Sequence, residues 1–335
     1  MKKWMISLAS AGAMLFAVLA ATPALAEDKI SAVHAFPSNF VYSKSFLSFV
    51  KKANEAGKGV FEINVRGGPE AIGMMEQANA VRTGVVDMVY AACAFYAAAV
   101  PECDAVSAST IDGPTARKNG SYEYLRAAHE KRAGVHLLGW VDSGIRFHLW
   151  STKEPKLDAQ GNLDIKGVKM RGNAIYNAFF TNFLGAQVIN VNASEIYTAL
   201  ERSTIDMMGW TEIGLMDANW DKFIKYRINP AFFSTDLTIQ INKKKWDSLS
   251  AKSREILTKV GIEHEISSVS ELGELRKKEM VELEKRGIKT ISLSADGQKK
   301  FLEGARAASF ARMKERMEKA GGTEGYDQGL KLLAP

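Results

Sequence analysis

The chain has 335 residues, of which 46% are hydrophobic, 24% charged and 9% aromatic, and its formal net charge is +6. The basic residues are interleaved with Asp and Glu along the predicted helices, a pattern typical of a solvated surface and not of a nucleic-acid-binding face. The two cysteines and five histidines show no zinc-ligand spacing, so the composition also argues against a zinc-binding module.

The N-terminal residues have the features of a secretory signal. Two lysines precede an apolar segment from Ile6 to Ala21, and Ala24 and Ala26 occupy the small-residue positions of a signal-peptidase site. We predict a signal peptide over residues 1–26, cleaved after about Ala26, which leaves 309 residues with net charge +4 because two lysines are lost. The apolar segment is shorter than the ~20 residues of a membrane-spanning helix. The sequence therefore predicts a protein exported to a bacterial periplasm.

The two cysteines of the exported chain are Cys93 and Cys103. Because that compartment is oxidising, they are a candidate disulfide. Two buried thiols are the alternative, and the spacing of ten residues leaves both open.

The first part of the exported chain alternates strand-like and helix-like segments. The apolar periodicity predicts a strand, a helix, a strand, a helix and a strand, at 30–36, 41–57, 61–68, about 71–83 and 85–92. Such β-α-β alternation is typical of parallel sheets covered by helices.

A second block repeats this alternation, with strands at 168–172, 187–191 and 204–210 and helices at 176–185 and 192–203. Asn192 and Glu195 have the spacing of a capping box at the start of the last helix. The segments that begin at Glu76 and Glu195 also resemble each other, and each closes on an Asp-Met pair. We interpret them as the same helix-to-strand unit in two lobes, whose strand ends face each other across a cleft.

The third part of the chain connects the two lobes. Residues 235–246 read as a strand that returns to the first lobe, and residues 250–287 read as one helix on the order of 50 Å long. A further helix follows at about 295–320. We predict an α/β, two-lobe periplasmic binding protein with mixed sheets covered by helices and one long helix bridging both lobes. Lobe 1 is expected at 27–149 plus about 235–275, and lobe 2 at about 150–234 plus about 276–335.

Arg171 is the strongest candidate for a binding residue, since it ends an apolar strand just before Gly172 and Asn173. A guanidinium takes a carboxylate with two parallel hydrogen bonds, and Asn173 could add an amide donor. An ion pair with a neighbouring Asp or Glu is the alternative. In the strand at 141–152, the period of two places Arg146 and His148 on one face. That face suits either a ligand or a surface with a salt-bridged arginine.

Aromatic side chains surround the predicted cleft. Candidates for its walls share positions at predicted strand ends, and they are Phe36, His34, Phe95, Tyr96 and Trp210. Such walls suit a planar or apolar ligand body, although most aromatic residues belong to cores. Glu212 alternates with Trp210 and could accept a hydroxyl, an amine or a cation, or point to solvent.

Catalytic motifs are absent from the sequence. It contains no G-x-S-x-G, no H-E-x-x-H and no glycine-rich phosphate loop, so we predict that the protein is not an enzyme.

Three segments resemble the substrate-binding proteins of TRAP transporters, the tripartite ATP-independent periplasmic systems, of the dicarboxylate-binding type. They are IKGVKMRGN (165–173), FLGAQVINVNASEIYTALERSTIDMM (183–208) and GGPEAIGMMEQANAVRTGVVDM (67–88). The resemblance implies that Arg171 clamps a ligand carboxylate and that Arg146 assists, although the insert at 153–165 lengthens the spacing between them. Trp210 stands where many members have Asn, as in members similar to the 2-oxo-acid binders.

The resemblance implies a receptor that captures an organic acid and delivers it to a membrane permease driven by an ion gradient. The many rings favour a monocarboxylate with an apolar or aromatic body, or a 2-oxo acid. The alternatives are a receptor of an ATP-driven importer, a ligand-sensing partner, and a periplasmic enzyme acting on a carboxylic acid. We expect no cofactor and no nucleic acid, while a metal ion bridging the ligand, as in some relatives of the 2-oxo-acid type, and the oligomeric state stay open.

Overall fold

Two mixed β-sheets form the frame of the molecule in a computed structural model, which describes residues 27–173 and 176–334. The predicted signal peptide and its cleavage site at about Ala26 lie outside the described residues. No helix in the described ranges is both long and apolar enough to cross a membrane.

The first part of the chain builds most of one sheet and the helices that cover it. Its elements are β1 (Asp28–His34), α1 (Val41–Ala56), β2 (Phe61–Gly67), α2 (Gln77–Thr83), β3 (Met88–Ala92), α3 (Cys103–Ser107), α4 (Gly113–Asn119), α5 (Ser121–Ala133) and β4 (Val135–Trp140). Helix α2 begins later than predicted, because residues 68–76 form turns around Pro69 and Gly73.

The rest of the chain builds the second sheet and closes the first. Its elements are β5 (Arg146–Ser151), β6 (Lys156–Leu157), β7 (Leu163–Asp164), β8 (Lys169–Gly172), β9 (Gln187–Asn190), α6 (Ile196–Glu201), β10 (Met207–Thr211), β11 (Tyr226–Ser234), β12 (Leu237–Asn242), α7 (Lys243–Ser248), α8 (Ala251–Lys285), β13 (Lys289–Ser292), α9 (Ala295–Lys319) and α10 (Tyr326–Leu333). Residues Phe179–Phe183 form a π-helical turn where the sequence predicted a regular helix.

The strand order shows how the chain passes between the sheets. The first sheet has the order β2-β1-β3-β12-β4 and the second has the order β13-β11-β5-β10-β8-β9. Strand β12 returns to the first sheet, as predicted, and pairs antiparallel with β3 and β4. The chain therefore crosses between the sheets three times, after β4, after β11 and, by way of α8, after β12. The α/β, two-lobe architecture predicted from the sequence is confirmed.

Helix α8 is the predicted long helix and runs without a break over 35 residues, about 50 Å at 1.5 Å per residue. Its first half packs on α1, α4 and β4 beside the first sheet. Its second half reaches the other sheet, where Glu279 accepts hydrogen bonds from the backbone N–H groups of Gly214 and Met216 at 2.9 and 3.4 Å. The helix thus bridges both lobes.

The pairing differs from the predicted lobe ranges at two places. Strand β5 starts at Arg146, inside the range expected for lobe 1, yet it pairs with β10 and β11 of the second sheet. Helix α10, expected in lobe 2, packs on α3, α4 and α5 beside the first sheet as well as on α9. We propose that the lobes meet at the crossing segments 141–145 and 234–236.

Local signals explain several elements. The capping box predicted for Asn192 and Glu195 is present, and Asn192 N donates to Glu195 Oε2 at 3.1 Å. Cys93 and Cys103 form a disulfide, which resolves the alternative that the sequence left open.

Candidate ligand-binding site

A cavity lies between the two sheets, with about 470 Å³ of space that includes its opening to solvent. Both lobes line it, since Ala92 and Leu237 come from the first sheet and Phe147 and Trp210 from the second. The full lining consists of Phe36, Tyr42, Ala92, Phe95, Phe147, Arg171, Asn173, Tyr176, Ala193, Trp210, Thr211, Thr235, Asp236 and Leu237. Five of the ten residues proposed from the sequence therefore meet here: Phe36, Phe95, Arg171, Asn173 and Trp210.

Arg171 is held at the end of β8, which runs parallel to β10. Its side chain is 2% exposed, its Nε donates to the Val191 carbonyl at 2.9 Å, and its Nη1 donates to the Tyr176 hydroxyl at 2.5 Å. Both acceptors are neutral. In the part of the chain that the structure describes, no Asp or Glu oxygen lies within 4.0 Å of its guanidinium. A buried positive charge that lacks an anionic partner is costly, so the cavity favours an anion beside Arg171.

Rings form the walls beside this charge. The Arg171 guanidinium lies 5.9 Å from the ring centroids of both Tyr176 and Trp210. Phe36 and Phe95 of lobe 1 have ring centroids 5.9 Å apart on the opposite side. Within the described ranges, the buried indole nitrogen of Trp210 has no hydrogen-bond partner. The cavity thus offers apolar surface around one cationic end.

Asn173 lies next to Arg171 on the cavity wall. Its backbone N–H donates to Asn177 Oδ1 at 2.8 Å, which fixes the backbone just after β8.

Asp236 is a cavity residue that the sequence reasoning missed. It lies on the second crossing, just before β12, where its Oδ2 accepts hydrogen bonds from Ala94 N at 2.8 Å and Ser107 Oγ at 3.0 Å. Burial raises the pKa of the carboxyl group to about 6, against the lowering effect of these two donors. No motif marks Asp236, and only the return of β12 to the first sheet brings it to the cavity.

Tyr42, Phe147, Tyr176, Thr211 and Thr235 also line the cavity without having been singled out from the sequence. Phe147 lies next to Arg146 in β5, on the strand face opposite to the one proposed from the sequence for binding.

Arg146 and His148 do not line the cavity, in contrast to the expectation from the sequence. Arg146 Nη1 donates to the Ser109 carbonyl at 3.0 Å and to Ser234 Oγ at 2.5 Å, because the start of β5 lies against these two groups. His148 Nδ1 lies 3.0 Å from the Ile228 carbonyl of the neighbouring strand β11.

Glu212 also lies away from the cavity lining. Its Oε2 accepts the backbone N–H of Arg146 at 3.1 Å, and its Oε1 lies 3.4 Å from His148 Nε2. The pKa of Glu212 is lowered by these contacts and by Arg276 of α8, against the raising effect of burial. The carboxylate is therefore engaged in joining β5 to α8.

His34 and Tyr96 are buried structural residues outside the cavity lining. His34 Nδ1 lies 2.7 Å from the Phe36 carbonyl, which holds the turn after β1. The Tyr96 hydroxyl lies 3.0 Å from His129 Nε2 and 2.8 Å from Thr238 Oγ1.

One compact group of potential metal ligands occurs in the described ranges, formed by Cys93, Cys103 and His129. Both sulfur atoms belong to the disulfide, so no thiolate is available to a metal there. Burial lowers the pKa of His129 to about 4, which keeps the imidazole neutral. At the cavity itself, Asp236 is the single carboxylate of the lining.

Two lobes that are linked by three chain crossings and enclose a cavity with a buried cation define a bilobal solute-binding fold. Residues 32–314 match the model of the DctP family, bacterial extracellular solute-binding protein family 7. The chain belongs to this family, and the resemblance to TRAP transporter receptors is confirmed.

Among relatives, a solute-binding protein of Albidiferax ferrireducens is 22% identical over 83% of this chain and 84% of its own length. A monocarboxylate 2-oxoacid-binding periplasmic protein of Nostoc is 23% identical over 80% of this chain and 74% of its own length. An extracytoplasmic solute receptor of Bordetella pertussis binding pyroglutamic acid superposes with a TM-score of 0.74 at 16% identity, covering 91% of this chain and 99% of the other. The superposition on the Bordetella structure supports the fold.

Proposed function

We propose that the protein captures a small organic acid in the periplasm and delivers it to a TRAP permease without making or breaking covalent bonds. The ligand is a monocarboxylate with an apolar or aromatic body, or a 2-oxo acid, and Arg171 clamps its carboxylate. The observation that carries this proposal is the Arg171 guanidinium, which lines the cavity and belongs to a residue that is 2% exposed. Within the described ranges, its hydrogen-bond acceptors are all neutral oxygens.

Two further observations support this ligand class. Six of the lining residues are aromatic, and they surround the guanidinium with surface that binds an apolar body. The ligands of two similar proteins are also organic acids. The Nostoc protein is described as binding monocarboxylate 2-oxoacids, and a Desulfovibrio salexigens protein was found with bound orotic acid.

Closure of the lobes strengthens the clamp. When water leaves the cavity, the attraction between guanidinium and carboxylate rises because the local dielectric constant falls. The crossing segments 141–145 and 234–236 are the places where a hinge motion can occur.

The test is a thermal-shift screen of aliphatic, 2-oxo and aromatic acids, each beside its uncharged methyl ester, followed by calorimetric titration of those that bind. We expect the acids to raise the melting temperature and the esters to have no effect. Arg171→Met is expected to abolish the shift, while Arg117→Lys, a change at a buried ion pair with Glu265 outside the cavity, keeps it. Equal binding of esters and acids would contradict the proposal.

A further inference from the structure

Asp236 is a second charged group in the same cavity, placed on the opposite lobe from Arg171. Asp236 is 3% exposed. No ion pair joins its carboxylate to the Arg171 guanidinium, so the nitrogen and oxygen atoms of the two groups lie more than 4.0 Å apart. The two groups thus leave space between them that a ligand can fill.

One oxygen of Asp236 is fixed and the other is not. Oδ2 accepts two hydrogen bonds, from the backbone of Ala94 and from Ser107. Within the described residues, Oδ1 accepts no hydrogen bond from another residue. This oxygen is also not completely enclosed, because it is absent from the enclosed polar atoms that lack a partner. A carboxylate whose one oxygen is anchored presents the other in a fixed direction.

Tyr176 lines the cavity and is affected by both charges. Arg171 Nη1 donates to the Tyr176 hydroxyl. The pKa of Tyr176 is raised, chiefly by burial; the charge of Arg171 opposes this rise and the charge of Asp236 adds to it. Both charges therefore act on a single ring that lines the cavity. With a pKa of about 6, Asp236 is ionised at neutral pH.

We infer that the ligand is an acid with a hydrogen-bond donor on its body, whose carboxylate binds Arg171 while its N–H or O–H group donates to Asp236 Oδ1. This inference rests on the proposed function of the same cavity and narrows its ligand class to acids that carry such a donor, which a plain 2-oxo acid lacks. An ionised Asp236 repels a second carboxylate, so dicarboxylates are excluded. An acid without a donor leaves a buried carboxylate unpaired, and such a mismatch is rejected more strongly than a missing methyl group.

The experiment compares acids of nearly the same shape with and without the donor. One pair is mandelate and phenylglyoxylate, and another is pyroglutamate and the lactone acid in which a ring oxygen replaces its N–H. Calorimetric titration of the wild-type protein is expected to show at least about tenfold tighter binding of the donor-bearing member. Succinate is expected not to bind.

The variant Asp236→Asn sharpens the comparison, since its amide keeps the shape and removes the charge. We expect the preference within each pair to fall to less than about threefold, with donor-free acids binding as well as or better than before. The control Asp206→Asn removes a carboxylate that pairs with Lys153 outside the cavity, and it should keep the wild-type preference. Circular dichroism melting checks that both variants fold.

Three outcomes overturn the inference: equal binding within the pairs by the wild-type protein, an unchanged preference in Asp236→Asn, or no binding of any of the four acids. The proposed function fails separately, only if the wider acid screen gives no carboxylate that depends on Arg171.

Discussion

The two lobes contain the same helix-to-strand unit and use it differently. In the first lobe, Val85 N donates to the Ala80 carbonyl at 2.9 Å between α2 and β3. In the second, Thr204 N donates to the Ala199 carbonyl at 2.8 Å between α6 and β10, at the corresponding position. The matching bonds indicate that the sequence likeness reflects a repeated structural unit.

The strand beside this unit shows where the lobes diverge. Arg171 on β8 lies opposite Met208 of β10, and Val33 on β1 lies opposite Val89 of β3. Arg171 and Val33 therefore occupy equivalent positions in two parallel strand pairs. The same position therefore carries a buried core residue in lobe 1 and the cationic end of the cavity in lobe 2.

The antiparallel neighbours of the unit diverge as well. Leu237 and Phe147 pair with the last residues of β3 and β10, and both line the cavity. Each follows a charged residue, Asp236 in one lobe and Arg146 in the other. Asp236 faces the cavity, whereas Arg146 is bound to Ser109 and Ser234, so the cavity receives one cation and one carboxylate from opposite lobes.

The largest effect is expected from substitutions at the equivalent positions Arg171 and Val33. Arg171→Met should weaken binding of the best acid by at least about a hundredfold, because the ligand carboxylate is desolvated without a partner. Its free energy of unfolding should change little, since removing an unpaired buried charge offsets the lost hydrogen bonds. Calorimetric titration and urea unfolding measure the two quantities.

Val33→Ala should give the reverse result. Val33 is fully buried, so the lost methyl groups should lower the free energy of unfolding by about 2 kcal/mol. The affinity should stay within about threefold. A loss of affinity as large as that of Arg171→Met would show that the two positions are not functionally distinct.

The two crossing segments each carry a buried carboxyl group, and Asp142 on the first one should control stability and not ligand choice. Burial raises its pKa to about 6, against hydrogen bonds from Ser45, Tyr90 and Ser268. Because the folded state keeps this proton longer than the unfolded state, its contribution to stability is full below about pH 4 and is lost as the pH rises to about 6.

Asp142→Asn removes this dependence. The free energy of unfolding of the wild-type protein minus that of the variant should fall by on the order of 2 kcal/mol between pH 4 and pH 7. Urea unfolding at each pH measures it, and His264, whose pKa is lowered to about 4 chiefly by burial, titrates in both proteins. A pH-independent difference would contradict the assignment.

The ring of Phe40 in lobe 1 packs against two rings of lobe 2 and should contribute to closure. Phe40 is 7% exposed, and its ring lies edge-on to Trp210 and Trp220 at 6.4 and 6.0 Å. Phe40→Ala should weaken acid binding about tenfold, because the closed form loses buried apolar surface while the open form loses little.

Small-angle scattering with saturating acid checks this effect, and the variant should show a larger radius of gyration than the wild-type protein. Phe46→Ala is the control, since Phe46 is buried within lobe 1 and stacks on Tyr90. It should lower the free energy of unfolding and leave the radius of the bound form unchanged. Identical radii for Phe40→Ala and the wild-type protein would exclude a role in closure.

Much of the fold could be predicted from local patterns. The β-α-β alternation, the capping box at Asn192 and the long helix α8 depend on residues close in sequence, so periodicity and capping chemistry reveal them. The start of β5 is different, because a period of two separates the two faces of a strand but does not show which face meets a cavity. The sequence therefore proposed Arg146, whereas the structure places Phe147 at the cavity.

Predicting the whole cavity lining would have required combining residues that lie far apart in the chain. Arg171 and Trp210 follow strands of the repeated block, and the sequence pattern points to both. Asp236 lies on the second crossing, just before β12, and reaches the cavity only because β12 inserts between β3 and β4. Tyr42 was missed because it belongs to the apolar face of α1, which looks like core in the sequence.

The smallest expected effect concerns the helix that begins each repeated unit. In lobe 2, Asn192 and Glu195 form a capping box, whereas Gly73 stands at the matching position in lobe 1, where α2 has no side-chain cap. Asn192→Ala should therefore lower the free energy of unfolding by about 1 kcal/mol, because it leaves backbone N–H groups of the first turn without a partner. Glu76→Ala, the counterpart of the Glu195 position, should change it by less than about 0.5 kcal/mol. Urea unfolding of both variants measures the difference, and equal losses would mean that the two units are stabilised in the same way despite their different first turns.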